Sequence, residues 1–176
     1  MADRNVLAGI IFMLLSSCSW ANLPAKQLGC GSPVTCWRRM RDWQQAGVWD
    51  RLHRVLLGEL RRTGQLDFSR CSLDSVSVRA KRAEELTGAN PVDRGKRGSK
   101  YHLLVERGGV PLAAAISAAN TPDAALLERV VDAVPAVKGR RGRPRRRPAK
   151  LHIDKAYDST ASRRALRRRG ITPRIS

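Results

Sequence analysis

The sequence predicts an α/β chain in which a small helical, helix-turn-helix-like domain precedes a mixed β-sheet. Three observations carry that expectation. Through residue 62 the apolar residues recur at helical spacing; after Thr63-Gly64 the period shortens to that of a strand; and beyond it strand patterns alternate with two more helix patterns. Strands joined partly by a hairpin and partly by helices give a sheet of mixed direction.

Length and composition agree. A chain of 176 residues accommodates one ordinary domain, or a small domain joined to an incomplete larger one. Residues AVILMFWYC make up 42%, which suits a buried core and excludes a disordered chain. Lys and Arg number 34 against 15 Asp and Glu, and the formal charge of +19 calls for a polyanionic partner, nucleic acid ahead of an anionic membrane. Residues 138–176 hold 15 basic and 2 acidic residues, so the last fifth is the electropositive pole. The excess of arginine over lysine suits phosphate recognition by a planar fork, although the codon bias of a GC-rich genome yields the same excess.

Cys18, Cys30, Cys36 and Cys71 form no C-x-x-C pair and the three histidines are scattered, so no zinc spacing is present and a reduced, cytoplasmic setting is expected. One segment competes with that reading. The apolar run Val6 to Leu15, followed by Leu15-Ser16-Ser17-Cys18, looks like the lipobox of bacterial lipoproteins. Asp3 beside Arg4 removes the positive bias of an export signal, and the run is too short to span a membrane, so it reads as a buried helix.

In order along the chain, Val6, Leu7, Ile10, Ile11 and Leu14, widened by Met13, mark a first helix. Ser32 as cap and Pro33 as first helical residue open a second, with Val34, Trp37 and Met40 or Arg41 on one face. After Gly47, Val48, Trp49, Leu52, Val55, Leu56 and Leu60 stripe a third helix to about Arg62. The region Cys71 to Val78 reads as a strand with Asp74 at its middle, and Glu84 to Arg97 as a loop. Tyr101 to Glu106 and Val110 to Ile116 form an antiparallel hairpin about Arg107-Gly108-Gly109. Thr121 and Pro122 start a helix whose buried face is Leu126, Leu127, Val130, Val131 and Val134. Lys138 to Lys150, with eight basic residues and two prolines, is a surface loop that self-repulsion keeps extended. Leu151 to Asp154 is a strand, Ser159 caps a helix closed by Gly170, and Ile171 to Ile175 is a last strand reached by a parallel crossover.

That order is the ribonuclease-H-like arrangement, incomplete at the C-terminus. Residues 1–62 are expected to form the helical DNA-binding domain and 66–176 the partial catalytic domain, with 138–150 as its basic loop. Five stretches make the resemblance specific: DRNVLAGIIFMLL, CWRRMRDWQQAGVWDRL, SLDSVSVRAKR, GSKYHLLVERGGVPLAAAISAANTPD and LHIDKAYDS. The chain resembles the DDE transposases of bacterial insertion sequences, in the group usually numbered five. The resemblance implies a nuclease and strand transferase dependent on Mg²⁺ (or Mn²⁺), acting on double-stranded DNA at the element's terminal repeats and at a target. It also implies a cytoplasmic, nucleoid-associated protein, possible homo-oligomers and no membrane. Asp74 matches the family's first acidic metal ligand and Asp154 the second; both are the expected catalytic residues. The physics supports the residue type, since carboxylates on a rigid sheet can hold hard divalent ions that activate water and stabilise the leaving oxygen of a phosphodiester. The family's third ligand, a Glu on a later helix, has no counterpart up to Ser176. Asp158 is the nearest substitute, although its place suits capping the helix near Ser159 better. Lys155 and Tyr157 belong to the same motif and suit phosphate contact or loop packing equally.

For DNA binding the candidates are Arg38, Arg39 and Arg41 on the second helix, Arg143, Arg145, Arg146 and Arg147 in the basic loop, and Lys155. Solvated basic surface is the competing reading for both groups. His102 and His152 lack partners at ligand spacing and are expected as core or edge residues, and Trp37 and Trp49 as core anchors. Two other functions compete: a DNA-binding transposition repressor or remnant without enzymatic activity, and an exported basic lipoprotein.

Overall fold

The structure is a computed structural model that describes residues 2–81 and 85–175, and it divides into two compact units, residues 1–53 and 54–176. Glu84, where the expected loop begins, lies outside the described residues. In the first unit, helix α1 (Asp3–Ser16) is followed by a 3-10 turn (Trp20–Asn22) and helix α2 (Pro33–Gln45). Helix α3 (Val48–Arg62) starts in the first unit and ends in the second. Ser32 caps α2 as expected, its hydroxyl accepting the Thr35 N–H at 3.1 Å. The core of this unit is Val6, Ile10, Leu23, Ala25, Cys30 and Cys36, with Met40, Trp43 and Trp49 against it. Gly9 permits the close approach, because a Cβ there would meet Cys30 Sγ at 2.8 Å. Among the described residues no helix is long and apolar enough to cross a membrane.

Two expected faces are rotated. The face of α2 turned inward carries Cys36 and Met40, whereas Trp37 is 43% exposed and Val34 55%. The small Cys36 beside Gly9 lets the helices approach closely, which turns Trp37 outward, where it stacks with the Arg41 guanidinium 5.3 Å away. On α3, Leu57 is the buried anchor, while Leu52, Val55 and Leu56 are exposed. Leu57 and Leu60 pack into the core of the second unit, where α3 ends.

The second unit is built on β1 (Cys71–Arg79), the short β2 (Gly88–Ala89), β3 (Arg97–Glu106), β4 (Pro111–Ala118), β5 (Lys150–Ile153) and β6 (Thr172–Ile175). The sheet runs β2-β3-β1-β5-β6, with β4 also paired to β3. The pairs β1·β3 and β3·β4 are antiparallel, while β1·β5 and β5·β6 are parallel, which is the expected ribonuclease-H-like arrangement. Helices α4 (Leu127–Asp132) and α5 (Thr160–Arg168) contribute Leu127, Val130, Val131 and Leu166 to the same core as Cys71, Leu73, Leu104, Leu112 and Ile153. Glu106 braces the β3–β4 turn, accepting the Asp67 N–H at 2.9 Å and the Val110 N–H at 3.0 Å.

Thr121 and Pro122 do not open the α-helix directly. A 3-10 turn (Asp123–Leu126) intervenes, because Asp123 is drawn inward to Lys100 and Ser75. The basic loop is also less extended than its charge suggests. Val137 and Arg145 exchange backbone hydrogen bonds of 2.7 and 2.9 Å, and the Ala149 N–H donates to Phe68 O at 2.9 Å. Arg146 and Arg147 donate to the carbonyls of Asp132 and Arg169, at the ends of α4 and α5, where the helix dipole favours a cation. Local acceptors thus offset the repulsion that composition alone predicts.

Candidate functional site

The parallel register between β1 and β5 ends on Leu73 opposite Ile153, which makes Asp74 and Asp154 the next residues on neighbouring strands. Strands of a sheet lie about 4.8 Å apart, so this register sets two carboxylates 80 positions apart in sequence side by side. Both are exposed, and with Leu73, His152 and Ile153 they line one open cleft of about 360 Å³. Each is oriented by its own backbone: Asp74 Oδ1 accepts the Ser75 N–H at 2.7 Å, and Asp154 Oδ1 accepts the Lys155 N–H at 2.5 Å.

Two groups of polar side chains adjoin the carboxylates, one of them with two wholly buried members. Lys100 Nζ is 2.8 Å from Asp123 Oδ1 and donates to Thr121 O at 3.1 Å. Asp123 Oδ2 accepts the Ser75 hydroxyl at 3.2 Å. Tyr157 Oη lies 2.8 Å from His102 Nδ1, and His102 Nε2 is 3.0 Å from Ser117 Oγ. Ser117 Oγ donates in turn to Ala118 O at 3.2 Å. Tyr157 and His102 are both fully buried. Ser75 is the neighbour of Asp74, and Tyr157 closes the 3-10 turn Lys155–Tyr157 that follows Asp154, so each carboxylate has its own polar support.

The electrostatics keep the buried group neutral at its centre. Burial pushes the Tyr157 phenol well above its ordinary range, opposed by the Ser75 side chain and reinforced by the charges of Asp123, Asp74 and Asp154. Burial likewise holds the His102 imidazole below its ordinary pKa, with Asp123 pulling it up and Lys100 pulling it down.

Two exposed carboxylates and no thiolate form a hard donor set, which suits Mg²⁺ or Mn²⁺ rather than a soft metal. Among the described residues no group of three or more His, Cys, Asp or Glu converges on a metal position. Asp158 is engaged elsewhere: its two oxygens are 2.7 and 2.8 Å from Arg163, whose hydrogen bonds, and then charge, hold its carboxyl below the usual range. Ser159, not Asp158, caps α5, accepting the Ser162 N–H at 2.9 Å.

A family model described as "Transposase DDE domain" matches residues 66–176. The chain belongs to the DDE transposase family. A second model, "Putative transposase of IS4/5 family", matches residues 1–53 of this DDE chain. "Insertion element IS402 uncharacterized 16.2 kDa protein" from Burkholderia cepacia is 54% identical over 91 residues, which is 52% of this chain and 61% of that protein. "Putative transposase for insertion sequence element IS402", also from Burkholderia cepacia, is 47% identical over 90 residues, 51% of this chain and 43% of that one. The chain therefore matches less than two thirds of the length of either curated relative. The solved structure "Mos1 transposase paired-end complex with left transposon end" aligns with 98% of this chain and 58% of its own, at 14% identity and a TM-score of 0.37.

Of the site residues expected from sequence, the DDE chain brings Asp74 and Asp154 together, and Lys155 and Tyr157 follow in the adjoining turn. The expected DNA-binding arginines divide. Arg39 pairs with Asp3 and lies over the Trp43 ring, Arg41 pairs with Asp42, and Arg146 and Arg147 bind helix-end carbonyls. Arg38 and Arg143 are exposed. Sequence reasoning missed Ser75, Lys100, Asp123 and Ser117 as supports of the site. A signal existed in His102 and Ser117, polar residues at alternating positions in phase with the apolar Leu104 of β3 and Ala113 and Ala115 of β4.

Proposed function

We propose that this chain is the DNA-binding and two-carboxylate part of an insertion-sequence transposase, cleaving and joining duplex DNA through a divalent cation when its acidic set is complete. The register that seats Asp74 beside Asp154 carries this reading. A Mg²⁺ or Mn²⁺ ion held there would polarise a phosphodiester and favour the attacking and leaving oxygens. The protein's own part is to hold two carboxylates on paired strands, fix one oxygen of each by a backbone N–H, and keep the turn after Asp154 rigid through Tyr157. Residues 1–62 serve as the helical DNA-binding domain, through Arg38, Arg39 and Arg41. Residues 66–176 serve as the partial catalytic domain, whose basic loop 138–150 and Lys155 contact phosphates.

A second reading is favoured by one observation, the pairing of Asp158, the nearest further carboxylate, with Arg163. With two carboxylates the chain by itself binds DNA and occupies element ends as a repressor rather than cutting them. Incubating the 176-residue chain with a duplex bearing the element's ends and Mn²⁺ tests both readings. Binding without nicking is the expected result, and failure to bind duplex DNA contradicts both. Nicking abolished by Asp154→Ala would show that the site is complete in this chain.

A further inference from the structure

Arg61, next to last in α3, is set apart from the other arginines of the second unit. Its Nε is buried and has no hydrogen-bond partner. The guanidinium carbon stands 5.5 Å from the centroid of the Phe68 ring. On the other side the basic loop presses on it, since a Cβ at Gly139 would be 3.0 Å from Arg61 Nε and 3.4 Å from its Cγ. Two residues before Gly139, Val137 is bonded through its backbone to Arg145, so the same loop turns back and brings Arg145 near. The charge of Arg145, together with burial, holds the Arg61 guanidinium below its ordinary pKa.

Several arginines elsewhere in the unit are satisfied by the protein. Arg169 is shared by Asp132 and Glu128, Arg163 takes Asp158, Arg79 takes Asp93, and Arg146 and Arg147 take carbonyls. Among the described residues neither Arg61 nor Arg145 has an ion pair or side-chain hydrogen bond. The packed ring holds the Arg61 guanidinium and the backbone bonds to Val137 hold the Arg145 backbone on the same loop, so an anion can bring both charges to itself. A planar fork fixed against an aromatic face is also pre-organised for a tetrahedral oxyanion, because little side-chain freedom remains to be lost on binding.

We propose that Arg61 and Arg145 form an oxyanion site that takes a backbone phosphate of duplex DNA. This rests on the reading that the chain binds DNA, and it adds a contact from the end of α3 that the basic composition of residues 138–150 does not reveal. The contact is to phosphate and not to a base edge, so it positions DNA without reading sequence.

Two measurements on the 176-residue chain test it, each with wild type, Arg61→Gln and Arg145→Gln. The first is thermal melting in inorganic phosphate against chloride at equal ionic strength. Phosphate should raise the melting temperature of wild type and of neither variant; without phosphate Arg61→Gln loses only its contact with the Phe68 ring and Arg145→Gln loses no protein contact. The second is duplex binding over a salt series, where each substitution should lower the slope of log affinity against log salt by about one and weaken unrelated duplexes equally. Equal phosphate protection in all three proteins, or a lower melting point with an unchanged slope, would make Arg61 a packing residue and overturn the site. If wild type is protected by phosphate, the variants are not, and no duplex is bound, the site stands for free phosphate and the DNA-binding reading falls.

Discussion

Replacing Tyr157 by Phe removes one oxygen and leaves the ring in place, so it tests the buried polar group beside the carboxylates without opening a cavity. The phenol lies 2.8 Å from His102 Nδ1, with both Tyr157 and His102 closed to solvent. The substitution deletes a buried hydrogen bond and strands an imidazole nitrogen that water cannot reach, which should cost about 2 kcal/mol. All four tryptophans, at 20, 37, 43 and 49, lie in the first unit, so tryptophan fluorescence does not follow the affected region. Amide hydrogen exchange read by mass spectrometry does follow it. Peptides covering β1 and β3 should exchange about 30-fold faster in the variant, whereas those of α1 should not change. In a double-mutant cycle with His102→Leu, the two losses should fall short of additivity by about 1 kcal/mol. Unchanged exchange in β1 and β3, or strict additivity, would refute the claim that this group stabilises the two strands.

Other outcomes follow from the same geometry. Because burial lowers the native pKa of His102 below 6.5, the unfolded state binds more protons as pH falls through 6.5. The stability that the neutral imidazole provides is full above that value and is lost below it, at up to about 1.4 kcal/mol per pH unit. Urea titrations from pH 7.5 downward should show this slope in wild type and lose it in His102→Leu. Substituting Ala at Arg143, Arg145, Arg146 and Arg147 together should flatten the salt dependence of duplex binding by a few units. It should also lower the melting temperature, because Arg146 and Arg147 bind the ends of α4 and α5; gel-shift assays over a salt series and calorimetry separate the two effects. Ser159→Ala should cost about 1 kcal/mol in urea denaturation through the lost α5 cap.

Much of the architecture was legible because its signals are local. Ser32-Pro33 and Ser159 mark helix starts by chemistry that acts within one turn, and Gly109, at φ +90°, supplies the turn of the β3–β4 hairpin that Arg107-Gly108-Gly109 announces. Asp74 and Asp154 were legible through the family motif around each, and the register confirms that they are neighbours. The helix faces were less legible, since an apolar stripe states that a helix is amphipathic but not which side is closed. Trp37, Val55 and Leu56 have the composition of a core face and are exposed, while Cys36 and Leu57 have the buried places. The supporting groups were hidden for another reason. Lys100 and His102 share β3, but Ser75, Ser117, Asp123 and Tyr157 lie on four other elements, and polar groups assembled from single residues leave no spacing in the sequence.

The central claim is that Asp74 and Asp154 form one divalent-cation site. Mn²⁺ binding followed by electron paramagnetic resonance, on wild type, Asp74→Asn and Asp154→Asn, tests it most directly, because either substitution removes one of two carboxylates while preserving shape. The account predicts weak binding of one Mn²⁺ to wild type, lost in both variants, with duplex binding retained at low salt. Mn²⁺ affinity unchanged by either substitution would contradict it.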